Sequence, residues 1–240
     1  MSNDMLGPLV RKIVDLPLEF LGPLRDLAEK LGGKKRKKWS NDFKRFLRGE
    51  YSFGVPERLA RFKSIYGLLF GINCDFSNLH IPKQRDDFNR LLVMPQGITP
   101  QRSFDGCAAL FPSRKWRDIN LDGDGIVISD RSAKGGAYAI WVRDCREADE
   151  KYKYVSGNDA TDRNIKGETL EERFIHEIDF FLETGSHLDL NNNVSTICTG
   201  SSYYDGGVPD VQWLDSEMRV GGCHPIGRDD DIRLREVVSI

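Results

Sequence analysis

The stretch from Thr169 to Gly185 constrains this chain more than any other, because it carries a start, a period and a stop. Thr169 and Glu172 stand three residues apart, ahead of a periodic run. That is the spacing of a capping box, in which a hydroxyl and a carboxylate each satisfy a free backbone amide. Leu170, Phe174, Ile175, Ile178, Phe181 and Leu182 then recur at spacings that gather on one face of a 3.6-residue helix. Gly185 follows the last turn, where a left-handed terminating residue belongs. The opposite face carries Arg173, His176 and Phe180 among Glu172, Glu177, Asp179 and Glu183. Phe180 lies off the apolar stripe: either it packs beneath a neighbouring loop, the plainer reading, or it is an exposed aromatic anchor for a protein partner. Upstream, residues 138–142 (Tyr-Ala-Ile-Trp-Val) form an apolar run too short for anything but a buried strand.

The rest of the chain mixes both kinds of element. Arg90 to Met94 reads as a strand closed by Pro95. Thr99-Pro100 opens a helix, with Thr as cap and Pro in the first turn, and Phe104, Cys107, Ala108 and Phe111 as its core face. Pro56 opens another helix through Phe70, with Leu59, Phe62, Tyr66, Leu69 and Phe70 facing inward. Short strands are expected at 126–128, 194–198, 208–213, 218–220 and 234–238, with Gly-rich turns between the later ones. The pattern predicts an α+β fold: a mixed or antiparallel sheet with two packed helices, preceded by a small helical N-terminal module. The expected division is a basic helical module over 1–50 and an α+β domain over 56–240, its core at about 88–240.

Within that core several unusual pieces follow one another: YAIWVRD at 138–144, EADE at 147–150, ETGSHLD at 183–189, CTGS at 198–201, then Val208-Pro209 and Trp213. In this order they resemble a group of uncharacterised bacterial proteins over roughly residues 88–240. The resemblance implies one domain there and supplies no activity and no catalytic residues.

Charge is distributed unevenly. The net charge is −2, yet residues 1–50 hold 12 Lys and Arg against 7 Asp and Glu, a surplus of +5 that leaves −7 for the remainder. The surplus is concentrated in Lys34, Lys35, Arg36, Lys37 and Lys38, followed by Lys44, Arg45 and Arg48. Only Asp42 interrupts them. Trp39, Phe43, Phe46 and Leu47 recur on the apolar side of the same segment, and Trp39 is expected to be structural. A basic edge backed by aromatics suits a phosphate backbone, which would make binding steeply salt-dependent. A solvated linker is the simpler reading of the same run.

No run approaches the ~18 apolar residues of a membrane span, and no secretory signal is expected at the N-terminus. Five scattered cysteines without a CxxC pair suggest reduced thiols and a cytoplasmic protein.

Other groupings could carry chemistry. Asp118, Asn120, Asp122 and Asp124 alternate with a Gly at the sixth position, as a calcium loop begins. The twelfth position is Ser129, and the nearest acid, Asp130, comes one residue late. An Asp/Gly turn is the plainer reading. His187, Asp189, Cys198, Cys223 and His224 lack zinc-like spacing. Ser201 or Ser202 with His187 or His224 and Asp189 could make a nucleophilic set only if the fold assembles them. The Asp229–Asp231 triplet could meet a cation or a basic partner.

The sequence therefore predicts a non-enzymatic interaction protein that binds a polyanion, nucleic acid first, through its basic head, with a protein partner as another use of that head. The alternatives are a hydrolase or nuclease, metal-dependent in one form, and a pure protein–protein adaptor.

Overall fold

A computed structural model describes residues 18–37, 39, 40, 43, 54–115, 119–123, 126–190 and 194–240. The chain forms two compact units, residues 1–53 and 54–240.

In the first unit, α1 (Leu18–Gly32) presents Leu24, Leu27 and Leu31 half-buried, while Ala28 is exposed. Lys30 extends over the Trp39 ring, 4.7 Å from its centroid. The Trp39 amide donates to the Lys35 carbonyl at 3.2 Å, which brings the ring back beside the end of α1.

The second unit is α+β. In chain order it contains α2 (Val55–Phe70), β1 (Arg90–Met94), α3 (Pro100–Leu110), β2 (Ser113–Lys115), β3 (Val127–Ser129) and β4 (Tyr138–Val142). There follow α4 (Gly157–Asp162), α5 (Leu170–Thr184), β5 (Ser195–Ile197), β6 (Ser201–Tyr203), β7 (Val208–Leu214), β8 (Glu217–Cys223) and β9 (Ile232–Leu234). β1 and β4 form an antiparallel pair, with Leu91 opposite Trp141. β3 and β6 form a second antiparallel pair. The remaining strands make a mixed sheet in the order β2-β8-β7-β5-β9, parallel at both edges and antiparallel within.

Strand pleating sends alternate side chains of this sheet to two cores. Val211, Met218 and Val220 face the main core. Ile197, Val208 and Leu234 face a smaller one closed by Val155 and Ala160.

The packing follows from where apolar surface is available. α3 lies on α5 through edge-to-face rings: Phe104 on Phe174 at 5.9 Å and Phe111 on Phe181 at 5.1 Å between centroids. Gly106 permits this approach, since a Cβ there would stand 2.4 Å from the Phe70 ring and 3.2 Å from Ile178. Leu170, Phe174, Ile175 and Ile178 are at most 1% exposed, each burial being worth about 1.5–3 kcal/mol.

α5 starts and stops at the expected residues. The Thr169–Glu172 capping box is present, and Gly185 closes the helix at φ 69°. Phe180 is 8% exposed, with the Arg90 guanidinium 5.5 Å from its ring centroid. Leu182, placed on the apolar stripe by its spacing, is instead 44% exposed. The polar face of α5 is buried along most of its length: Glu171, Glu172, Arg173, His176, Glu177 and Asp179 are all at most 3% exposed.

Among the described residues no helix is long and apolar enough to cross a membrane. The five cysteines are free thiols.

Candidate functional site

The basic run begins where α1 ends. Lys34, Lys35, Arg36 and Lys37 are all exposed. Among the described residues none of the four is paired with a carboxylate. Their position beyond a helix C-terminus is one in which positive charge is favoured. Lys38, Lys44, Arg45 and Arg48 lie outside the described residues.

The acidic loop serves α3. Asp122 accepts from the Thr99 hydroxyl at 2.6 Å and from the Gln101 amide at 2.9 Å, so both its oxygens are committed to the helix N-terminus. Asn120 accepts from the Asp122 amide at 3.0 Å, an Asx turn. The amide of Asp130 donates to the Gly200 carbonyl, tying the loop to the turn before β6. Asp118 and Asp124 lie outside the described residues. Among the described residues no three His, Cys, Asp or Glu side chains are grouped to hold a metal ion.

The Ser, His and Asp candidates go to separate structural roles. Ser201 Oγ accepts from the Leu170 amide at 2.9 Å and lies 2.8 Å from Ser129 Oγ. Ser202 is half-buried on β6. His187 stacks on Trp213, with centroids 3.4 Å apart, and its Nδ1 is 2.9 Å from Glu177. Asp189 is fully buried and accepts from Arg173, Arg235, Thr196 and the Ala148 amide at 2.6–2.9 Å. His224 belongs to a different part of the surface, in a cavity wall that also includes Cys223. Cys198 is buried and its Sγ faces the Thr196 carbonyl.

What spacing alone did not expose is a charged spine inside the body, built around α5. Asp179 takes Arg58 at 2.6 Å, Arg61 at 2.9 Å and Arg90 at 2.5 Å. Glu172 takes both arms of Arg131, at 2.8 and 2.7 Å. Glu177 takes Arg173 at 2.8 Å, and Arg173 Nε is buried without a partner. Burial alone would raise the carboxyls of Asp179 and Asp189, but the surrounding arginines outweigh it and hold both below the usual carboxylate range.

Glu168 and Glu171 show the opposite balance. Burial raises Glu168 to about 8 and Glu171 to about 7. Glu168 Oε1 faces His176 Nδ1 at 2.8 Å, and burial drives His176 toward its neutral form. Both shifts favour the uncharged forms of the pair. The acids of the spine, with Arg173 and His176, are at most 3% exposed, while Arg58, Arg61 and Arg131 reach them from partly exposed positions. The spine's one sequence signal is the density of charge on a helix that also has a full apolar stripe.

Two of the concave surfaces of the body involve β8. A polar groove of about 510 Å³ lies over the sheet, floored by Ser195, Asp210, Gln212 and Gly221, with Asp229 and Asp231 at its rim. Asp210 accepts from the Ser195 hydroxyl at 2.8 Å, and burial raises its carboxyl. Gly221 keeps room for it, since a Cβ there would stand 2.8 Å from Asp210 Oδ1. The second surface, a cavity of about 380 Å³, has walls from Ile119, Leu121, Tyr203, Val220 and Pro225. Compared with known protein families, with curated proteins and with solved structures, the chain matches none.

Proposed function

We propose that the protein is a non-enzymatic interaction protein whose N-terminal module binds a polyanion, nucleic acid being the polyanion that suits it best. The observation that carries this reading is the row of four consecutive exposed cations, Lys34, Lys35, Arg36 and Lys37, without carboxylate partners among the described residues. Cations already neutralised by carboxylates would have to break those pairs before meeting phosphate. These four need not. Lys38, Lys44, Arg45 and Arg48 extend the run in sequence. No base-reading motif accompanies it, so recognition rests on the backbone charge. The spine supports the non-enzymatic half of the proposal, because its titratable groups are locked in ion pairs or hydrogen bonds away from solvent.

The test is a fluorescence-anisotropy titration of the full chain against labelled duplex DNA, single-stranded DNA and RNA at low and near-physiological salt. A variant with Lys34, Lys35, Arg36 and Lys37 changed to Gln runs beside it. Binding should weaken steeply with salt, and the variant's log–log salt slope should be shallower by up to about four units. Flat curves at low salt, or a variant that binds like the parent, would overturn the proposal.

A further inference from the structure

The cavity of about 380 Å³ lies in the body and has no part in the polyanion reading. It falls in the size range of small-molecule sites, roughly 300–1,000 Å³. Its construction follows from the sheet. Lys115 on the edge strand β2 is the register partner of Val220 on β8. The pleat therefore puts Lys115, Val220 and Gly222 on one face, and all three line the cavity. Gly222 lets the Tyr203 ring cover that part of the strand, since a Cβ there would stand 2.9 Å from the ring. The Tyr203 hydroxyl donates to the Gly221 carbonyl at 2.8 Å, which fixes the ring as a flat wall. Tyr204, 61% exposed, stands at the rim. Ile119, Leu121 and Pro225 complete an apolar lining.

Lys115 sets the charge. Its ammonium donates to Gln101 Oε1 at 2.9 Å and to the Ile119 carbonyl at 2.6 Å, and it lies 4.8 Å from the Phe104 ring centroid. Both acceptors are neutral oxygens. Among the described residues no carboxylate pairs with it, and one of its three N–H donors is left over. Asp205 also lines the cavity, with Oδ1 accepting from the Gly207 amide at 3.1 Å in its own turn. His224 Nδ1 accepts from the Ile226 amide at 3.4 Å, so the neutral ring carries its proton on Nε2 and can act as a donor.

We infer that this cavity binds a small planar aromatic carboxylate, its rings against Tyr203 and its carboxylate on Lys115. A cavity of ~150 Å³ takes benzene, so 380 Å³ has room for a fused two-ring acid with its charged group. Binding is non-covalent. The Cys223 thiol donates to the Val208 carbonyl, and burial, with Asp210 nearby, pushes it up to about 12, so it is not a thiolate at neutral pH.

The experiment is calorimetric titration of the full chain with 1-naphthoate and with its neutral counterpart, 1-naphthalenemethanol. The parent protein should bind the carboxylate about tenfold more tightly than the alcohol, as expected for one charge-assisted hydrogen bond. Lys115→Met should remove that preference while leaving the alcohol's affinity within about threefold. Tyr204→Ala, at an exposed rim position, should weaken both ligands and retain the preference. The parent's preference is decisive even if Lys115→Met fails to fold. Equal affinity for the two ligands, or no heat with either at millimolar concentration, overturns the inference. So does an unchanged preference in a folded Lys115→Met.

Discussion

Two sets of carboxyl groups in and beside α5 are buried by opposite means. Asp179 on the helix and Asp189 beyond it are fully buried and remain charged, because five arginines reach them: Arg58, Arg61 and Arg90 on one, Arg173 and Arg235 on the other. At the N-terminal end, Glu168 and Glu171 are equally enclosed, but their hydrogen-bond partners are His176 and Ser129. Both are shifted upward. The same physical cost, removal of a carboxylate from water, is offset by charge in one place and avoided by protonation in the other. Burial alone therefore does not say whether a carboxyl is ionised. The cations that reach it do.

The most severe way to break the comparison is Asp189→Asn. Asn keeps the volume and tolerates the left-handed backbone at φ 54°, so the loss reports charge. Arg235, 2% exposed, would lose its carboxylate, and Arg173 would keep only Glu177. Urea unfolding should show a loss of about 3–5 kcal/mol. A loss below about 1 kcal/mol would mean that the arginines do not depend on this carboxylate.

Glu168→Gln probes the other end and should give a smaller, pH-dependent effect. With its folded value near 8 against 4.5 unfolded, Glu168 contributes stability that is fully present below about 4.5 and is lost as pH rises through 8. His176, depressed below 6.5, works in the opposite sense, its contribution growing as pH rises to 6.5. The two slopes oppose each other below 6.5, so Glu168's loss stands unopposed by His176 between 6.5 and 8. Across that interval the parent should lose on the order of 2 kcal/mol from this pair, at about 1.4 kcal/mol per pH unit. Glu171, near 7, adds a fall of the same sign between 4.5 and 7. In Glu168→Gln the 6.5–8 component should vanish from denaturation midpoints measured across pH. If the variant falls as steeply as the parent, Glu168 is not the protonated group.

Thr169→Ala sharpens the comparison by removing a neutral cap from the same end of the helix, one whose hydroxyl also reaches the Glu171 carboxyl. Loss of the cap to the Glu172 amide should cost about 1 kcal/mol, read as a drop in unfolding free energy. A cost that changes between pH 4.5 and 7 would mean that the cap acts through Glu171.

Elements with local signals were legible in the chain. The boundaries of α5, the cap at Thr99 and the strand at 90–94 were all announced by residues within one turn or one strand of each other. The Thr-Gly-Ser-Ser setting of Ser201–Tyr203 is turn-like and carries no strand signal. It is a strand because it pairs with Val127–Ser129, far away along the chain. The short β2 and α4 likewise lacked a period long enough to read. Of the candidate site residues, the basic run was visible as composition. The cavity around Lys115 was not, since its walls come from β2, the loop after it and the β6–β8 region.

The sequence by itself determined where α5 begins, where it ends and that one stripe of it is apolar, because those depend on contacts three or four residues apart. It also determined that cations crowd residues 34–48. Only the tertiary structure decided that the polar stripe of α5 is interior. That outcome required Arg58 to arrive from 121 residues away, Arg131 from 41 and Arg235 from beyond Asp189 by 46. A buried charge is stable only when its counter-ion reaches it, and the pairing of residues so far apart is fixed by the folded chain, not by local spacing.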